Sequence, residues 1–526
     1  MSISVSRVIR IARRRLYISY MNSVRRYKPV HASMAHDAPL PGVGFTATDM
    51  LEWLSLDGWE RVREIQVSGR GEDHGHLRHC CVGVDGELGR EHDDEMEGAS
   101  KKEAGPLERN GDGDEGQVSG MTVLDAMARY FAVPPEVGRL LIMYGAVHWA
   151  RIPPAIPEAL LTCPEEGTRH DAVRERARQL VVDNGELEGL SQSEQSRILL
   201  SKTDRVLDAG FVAKPYSYIR AHLWPKRFPL FHSVDWRDRV VAVGEEYVVI
   251  NKPPGVPVPP TVDNVLENVQ AGAAKALNVP VETLRITSRI DQPTEGLVVV
   301  GRTKAFVSRF NASMRGNATR KFYRAAVWVG GAREGREEGV AAIDMLAANP
   351  GDLRHRVIKY KGPGTPFVSL VCDGLDGAEN VKDQMVDCHL IVRSVTALAD
   401  ADHCLPPPSE GARLYEIEIQ LVTGRTHQIR CQMSALGLPL VGDDMYEALA
   451  DRSLRERLLA DPEGFQNILE DGTRVLREPE IAIGLQAFRL EFEGEHGVFE
   501  ELEGQACGRV VFEAGVPWWR SPPRIV

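Results

Sequence analysis

The chain has 526 residues and 43% of them are apolar, which suits several units and a sizeable buried core. No stretch approaches the roughly 18 consecutive apolar residues of a membrane span, and the eight cysteines include no C-x-x-C pair, so a membrane partner and zinc-knuckle spacing are both excluded as expectations. The net charge of −12 argues against a polyanionic partner, but from Lys202 to Arg324 Lys and Arg outnumber Asp and Glu by 19 to 11, and a local excess is what phosphate would feel.

Residues 1–36 hold no Asp or Glu, and carry Arg7, Arg10, Arg13, Arg14, Arg15, Arg25, Arg26 and Lys28 among serines. That composition predicts an organelle transit peptide, plastid slightly favoured over mitochondrion. A basic nucleic-acid-binding tail, or translated sequence ahead of a start at Met21 or Met34, is the alternative. If the segment is no transit peptide, cytoplasm or nucleus follows. Residues 37–120 are read as a lead segment followed, over Gly69–Gly120, by an acidic disordered linker. That linker has no aromatic side chain and little apolar surface to offset ordering entropy. His74, His76, His79, Cys80 and Cys81 invite a metal reading, but they lie in this tract without a core-forming pattern, so no metal site is assigned.

Order is predicted to resume at Met121. Val123, Met127 and Tyr130 share a helical face, Pro134 and Pro135 break it, and a second helix runs from Pro135 to Tyr144 before Gly145. Ala146–Ala150 then reads as a strand. Helix, helix, glycine, strand is the outline of a degenerate S4-like unit, assigned to 121–239, with an ordinary helical lead-in as the equal alternative.

From Asp238 the pattern turns to strands, at Val240–Val243 and Tyr247–Ile250. Asn251-Lys-Pro-Pro-Gly-Val-Pro-Val-Pro-Pro260 follows and predicts a rigid extended loop. Leu297–Val300 is continuously apolar and predicts a strand buried on both faces. Pro293 and Gly296 force a turn before it, so Asp291 sits in a constrained loop beside the core. A carboxylate there needs a cationic partner, or its pKa rises and it neutralises; the plain structural alternative is a turn-capping Asp. Arg320–Val329 alternates, with Tyr323, Ala325, Val327 and Val329 on one face, so Tyr323 is either core or a flat wall for a ring. Leu414–Leu421 predicts a half-buried strand. Thr426 predicts the N-cap of a helix reaching Leu436, with Gly437 after it, Ile429, Met433 and Leu436 inward, and His427 and Arg430 on another face.

The order of Asn-Lys-Pro-Pro-Gly, Arg-Ile-Asp-x-x-Thr-x-Gly-Leu, Lys-x-Tyr-x-Ala and Thr-Gly-Arg-Thr-His-Gln-Ile-Arg, closed by Gly442-Asp443, resembles the RluA-type pseudouridine synthases over 240–526. The Ile483–Ala487 and Ala514–Trp519 stretches are similar to an organelle-targeted plant and algal branch. The resemblance implies an α+β catalytic fold, with a mixed, mostly antiparallel sheet and a central cleft, and an isomerase acting on uridine in rRNA or tRNA. It implies no cofactor and no obligatory protein partner. Asp291 matches the catalytic aspartate, Tyr323 the base-stacking tyrosine, Arg430 the basic partner of the aspartate and Arg289 an arginine linked to RNA engagement. Lys252, Arg425, His427 and Gln428 are further RNA or substrate candidates. Three departures stand out. Ser288 and Phe488 occupy positions where the family commonly has His, and 331–380 is an insertion, either reaching over RNA or loose. An inactive RNA-binding or ribosome-assembly protein on the same fold is the alternative. A hydrolase pairing Asp291 with Glu295 is a weaker one.

Overall fold

The computed structural model describes residues 77–82, 120–155, 164–316, 319–331, 337–360, 367–376, 378–460, 482–493 and 509–520. The expected transit segment 1–36, and all of 37–120 except 77–82 and Gly120, lie outside them. Contacts divide the described residues into two units: those up to Arg227 together with Thr261–Leu266, and Phe228–Pro260 together with those from Glu267 onward.

The first unit contains β1 (Leu77–Cys81), β2 (Met121–Thr122), α1 (Val123–Phe131), α2 (Pro135–Met143), β3 (Val147–Ala150), α3 (Pro164–Asp183), α4 (Gln192–Leu199), β4 (Asp204–Arg205), β5 (Val212–Ala213) and β6 (Tyr218–His222). Helix, helix, glycine and strand occur as expected. The Thr122 hydroxyl accepts from Asp125 N to cap α1, and Gly145, at φ +68°, ends the second turn of chain where a Cβ would be strained. The sheet order is β1-β6-β3-β4. Its core combines Val123, Met127, Leu141, Val147, Ile219 and Ala221.

β1 corrects the expectation of a structureless tract over Gly69–Gly120. It pairs antiparallel with β6, and Cys80, Cys81 and Val82 are buried. Cys80 packs with Val147 and Ile219 while Cys81 packs with Ala150 and Tyr218, on the opposite face. Alternation therefore points the adjacent thiols apart, and burial lifts that of Cys81 to about 12.

The second unit is built on an eleven-stranded sheet. Its elements are α5 (Leu230–Ser233), β7 (Val240–Val243), β8 (Tyr247–Lys252), α6 (Val269–Leu277), β9 (Arg285–Ile286), β10 (Glu295–Gly301), α7 (Lys304–Arg315), β11 (Thr319–Val329), α8 (Glu337–Ala348), β12 (Asp352–Tyr360), β13 (Val368–Val371), β14 (Val386–Ala397), β15 (Arg413–Leu421), α9 (Gln428–Ala435), α10 (Asp444–Ala448), α11 (Arg452–Ala460), β16 (Leu485–Glu493) and β17 (Arg509–Glu513). The order is β13-β12-β14-β15-β11-β16-β10-β8-β7, with β17 on β16 and β9 on β10. Among the described residues only the β10–β16 pairing is parallel, so the sheet is mixed and mostly antiparallel. β10 is buried throughout: Val298 and Val300 pack with Trp236 and Val256, Leu297 and Val299 with Phe306, Phe310 and Phe492.

Two expectations change here. β8 runs two residues further than predicted, so Asn251 and Lys252 are strand and only Pro253 onward is loop. The 331–380 insertion is part of the fold: Ile343 and Leu346 of α8 enter the central core, and Val357, Ile358, Val368 and Leu370 of β12 and β13 pack with Cys431, Tyr446 and Leu458. It extends the sheet beyond β14 and buries apolar area in doing so.

Candidate active site

Three elements converge on one cleft of about 240 Å³, with Asp291, Tyr323 and Arg430 in its wall. Asp291 stands in the loop before β10. Thr294 N donates to its carbonyl at 3.1 Å, closing the predicted turn. Gly296 follows at φ +123°, and a Cβ there would lie 2.3 Å from Ala487 O, so the tight approach of β10 to β16 that fixes this loop requires glycine.

The loop is fastened from both sides. Gly255 N donates to Gln292 O at 2.9 Å, and Ile483 N to Pro293 O at 3.2 Å. Lys252 is 0% exposed, and its ammonium donates to the carbonyls of Pro253 (3.0 Å), Val256 (2.9 Å) and Gln292 (2.8 Å). Three acceptors match its three donors. Lys252 thus ties the proline loop to the Asp291 loop, and cannot also contact RNA as the sequence suggested.

Burial lowers the Lys252 pKa to about 7, against the pull of Glu295 and Asp291. Between that value and its unfolded value near 10.4 the unfolded chain binds more protons, so this group makes stability rise with pH across the window. Melting of the wild type should therefore gain on that of Lys252→Met from pH 7 to pH 10. A constant gap between the two would refute the lowered pKa.

Arg430 is wholly buried. Its Nη1 lies 3.9 Å from Asp291 Oδ2, but its closer partner is Asp443: Nε–Oδ2 is 2.6 Å and Nη2–Oδ1 2.9 Å, a bidentate pair with both side chains 0% exposed. The guanidinium also faces the Tyr446 ring at 4.8 Å. Asp443 was visible only as the end of a motif, and neither it nor Tyr446 was given a role. Asp291 keeps 30% of its side chain exposed. Burial raises its pKa; Arg430, Lys252 and Arg289 pull it back down.

Tyr323 is buried on β11 with its ring in the cleft wall, and burial, with Asp291 beside it, holds its hydroxyl protonated. Lys321, two residues earlier on the same face, also lines the cleft and was not singled out. Arg289 and Arg425 line it too and are exposed.

The helix start differs from expectation. α9 begins at Gln428, and its N-cap is His427 at φ +54°, not Thr426. The Gln428 amide explains this: its oxygen accepts from Thr423 Oγ1 (2.9 Å) and Arg425 N (3.0 Å), and its nitrogen donates to His389 O (3.1 Å). Gln428 therefore organises the turn while also lining the cleft. His427 lines the cleft but is buried, with Nδ1 3.1 Å from Tyr446 OH. Glu295 is likewise structural: it is buried, accepts from Trp518 N at 3.2 Å, and is not among the cleft residues.

A family profile described as RNA pseudouridylate synthase matches residues 246–435. The chain is 31% identical over 422 residues to RNA pseudouridine synthase 6, chloroplastic, of Arabidopsis thaliana, covering 76% of this chain and 78% of that one. It is 29% identical to the protein of that name from Oryza sativa subsp. japonica, covering 76% and 77%. A third relative is the dual-specificity RNA pseudouridine synthase RluA of Vibrio parahaemolyticus, 24% identical over 42% of this chain and 74% of that one. The chain belongs to the RNA pseudouridine synthase family, within its RluA type, and is an isomerase of uridine in RNA. No helix among the described residues is long and apolar enough to cross a membrane.

Proposed function

We propose that the protein converts specific uridines of plastid rRNA or tRNA to pseudouridine, with Asp291 as the catalytic carboxylate. The observation that carries this reading is the meeting of a partly exposed carboxylate, a tyrosine ring and a buried, clamped guanidinium in one cleft. The reaction breaks the N-glycosidic bond, turns the uracil and rejoins it through C5. The target nucleotide leaves its stack to enter the cleft, at a cost of a few kcal/mol. Tyr323 supplies a flat wall for the flipped ring. Arg430, held in place by Asp443, favours the ionised form of Asp291 that can act as nucleophile or base. Arg289 and Arg425 at the rim offer charge to the flanking phosphates, and the upstream unit, S4-like in its helix–helix–strand order, is an RNA-contacting module.

Pseudouridine maps of organelle RNAs with and without the protein test this. Loss of modification at defined plastid uridines is expected, and unchanged maps in every organelle would overturn it. The plastid assignment rests on the acid-free segment 1–36 and on the chloroplastic relatives. A fluorescent reporter carrying residues 1–36 should enter plastids, and a diffuse cytosolic signal would refute the targeting.

A further inference from the structure

A row of cationic and titratable side chains lies on the sheet of the first unit, away from its core. Arg220 on β6 is registered with His148 on β3, and His148 with Arg205 on β4. Directly opposed residues share a face, so the three follow one another at the strand spacing of about 4.8 Å. His222, two residues beyond Arg220, joins them; the ring centroids of His148 and His222 are 5.7 Å apart. The other face carries Val147, Ile219 and Ala221 into the core.

The segment Thr261–Leu266 satisfies part of this row. His148 Nε2 meets the Val262 carbonyl at 2.8 Å, and Arg205 donates to the Thr261 carbonyl. Asp263 is the carboxylate acting on Arg205 and His222. Its oxygens already accept from Lys226 N at 2.7 Å and Thr261 Oγ1 at 2.8 Å. What remains is unbalanced. Arg205 Nε, Arg220 Nε and His222 Nε2 are buried atoms with no hydrogen-bond partner among the described residues. Burial, followed by the repulsion of Arg220, His222 and Arg205, drives the His148 pKa down to about 4 against the Val262 hydrogen bond. Buried donors in native proteins find acceptors. One engaged carboxylate facing Arg205 and His222, with the Arg220 guanidinium in the same row, calls for an anion with several oxygens. Arg205, Arg220 and His222 are all half-buried, so each side chain keeps part of its surface accessible.

We infer that this row is a phosphate-binding site, and that its ligand is a phosphodiester of the RNA substrate outside the catalytic cleft. The inference rests on the RNA-modifying reading, but its test reads affinity and not turnover, so either can fail alone. The full chain is compared with Arg220→Gln/His222→Gln and with Asp291→Asn, using a fluorescent RNA hairpin at several salt concentrations and melting in inorganic phosphate. The double variant should bind the hairpin about five- to tenfold more weakly, with a salt slope shallower by about one. Asp291→Asn should bind like wild type, and Arg220→Lys, which keeps the charge, should recover part of the loss. Inorganic phosphate should raise the wild-type melting point saturably and leave that of the double variant unmoved. Unchanged hairpin affinity and slope in a folded double variant would overturn the RNA assignment. If phosphate also fails to shift wild-type melting, the site itself is refuted. A phosphate response without an RNA effect would assign the niche to free phosphate.

Discussion

Asp291→Asn should cost turnover on the order of 10³-fold or more, because Asn keeps the shape of the side chain but supplies neither nucleophile nor base. Its melting point and RNA affinity should stay near wild type. The geometry separates this from a structural effect. Taking Asp291 as the sole partner of Arg430 predicts a stranded buried guanidinium and a loss of about 3–5 kcal/mol. Arg430 instead keeps both bonds to Asp443, at 2.6 and 2.9 Å, and loses only a 3.9 Å contact. Pseudouridine formation, melting and affinity measured on one preparation decide the matter. A near-wild-type rate would remove Asp291 from catalysis.

Asp443→Ala should be the more damaging change to the fold. It removes the bidentate acceptor of a fully buried Arg430, a loss of about 3–5 kcal/mol, or roughly 10 °C in melting. Among the described residues, Asp291 is the carboxylate that still stands beside the freed guanidinium, at 3.9 Å. Closer pairing would lower the Asp291 pKa, so the alkaline-going limb of the activity profile should move to lower pH while the rate falls. Arg430→Met should move it the other way, since removing the charge that opposes burial raises that pKa further. Asp443→Asn, which retains one acceptor, should recover part of the stability. If Asp443 only supported the fold, melting would drop with no movement of the pH profile.

Much of the catalytic unit is legible because its pattern is local. Leu297–Val300 needs only continuous hydrophobicity to be read as a doubly buried strand, and Gly296 with Pro293 marks the turn that holds Asp291. Direction is what local pattern does not carry. Lys252 and Gln428 carry the polarity of RNA contacts, yet one closes on three carbonyls and the other on a turn beside its own helix. Asp443 is thirteen residues from Arg430, and only the fold turns that spacing into a clamp. Composition averaged over fifty residues also concealed β1, whose buried Cys80 and Cys81, with Val82 after them, stand in a polar stretch of sequence. The helix start was misplaced for a related reason. Thr426 is the better capping residue by type, but the Gln428 side chain organises the turn and places His427 in the left-handed conformation.

Pairing along β11 and β16 slips by one residue at the tyrosine of the cleft wall: Phe322 faces Arg489 and Tyr323 faces Ala487, leaving Phe488 without an opposite number. Leu485, Ala487 and Leu490 consequently all look into the cleft, although strict alternation would send Ala487 and Leu490 to opposite sides. In terms of chain length, β16 carries one surplus residue at the place where a surplus is phase-neutral. Dropping Phe488 would turn an irregular ladder into a regular one and leave every neighbouring side chain on its present side. Single-residue length differences among relatives of this protein should therefore collect at this spot, with the cleft wall preserved across them.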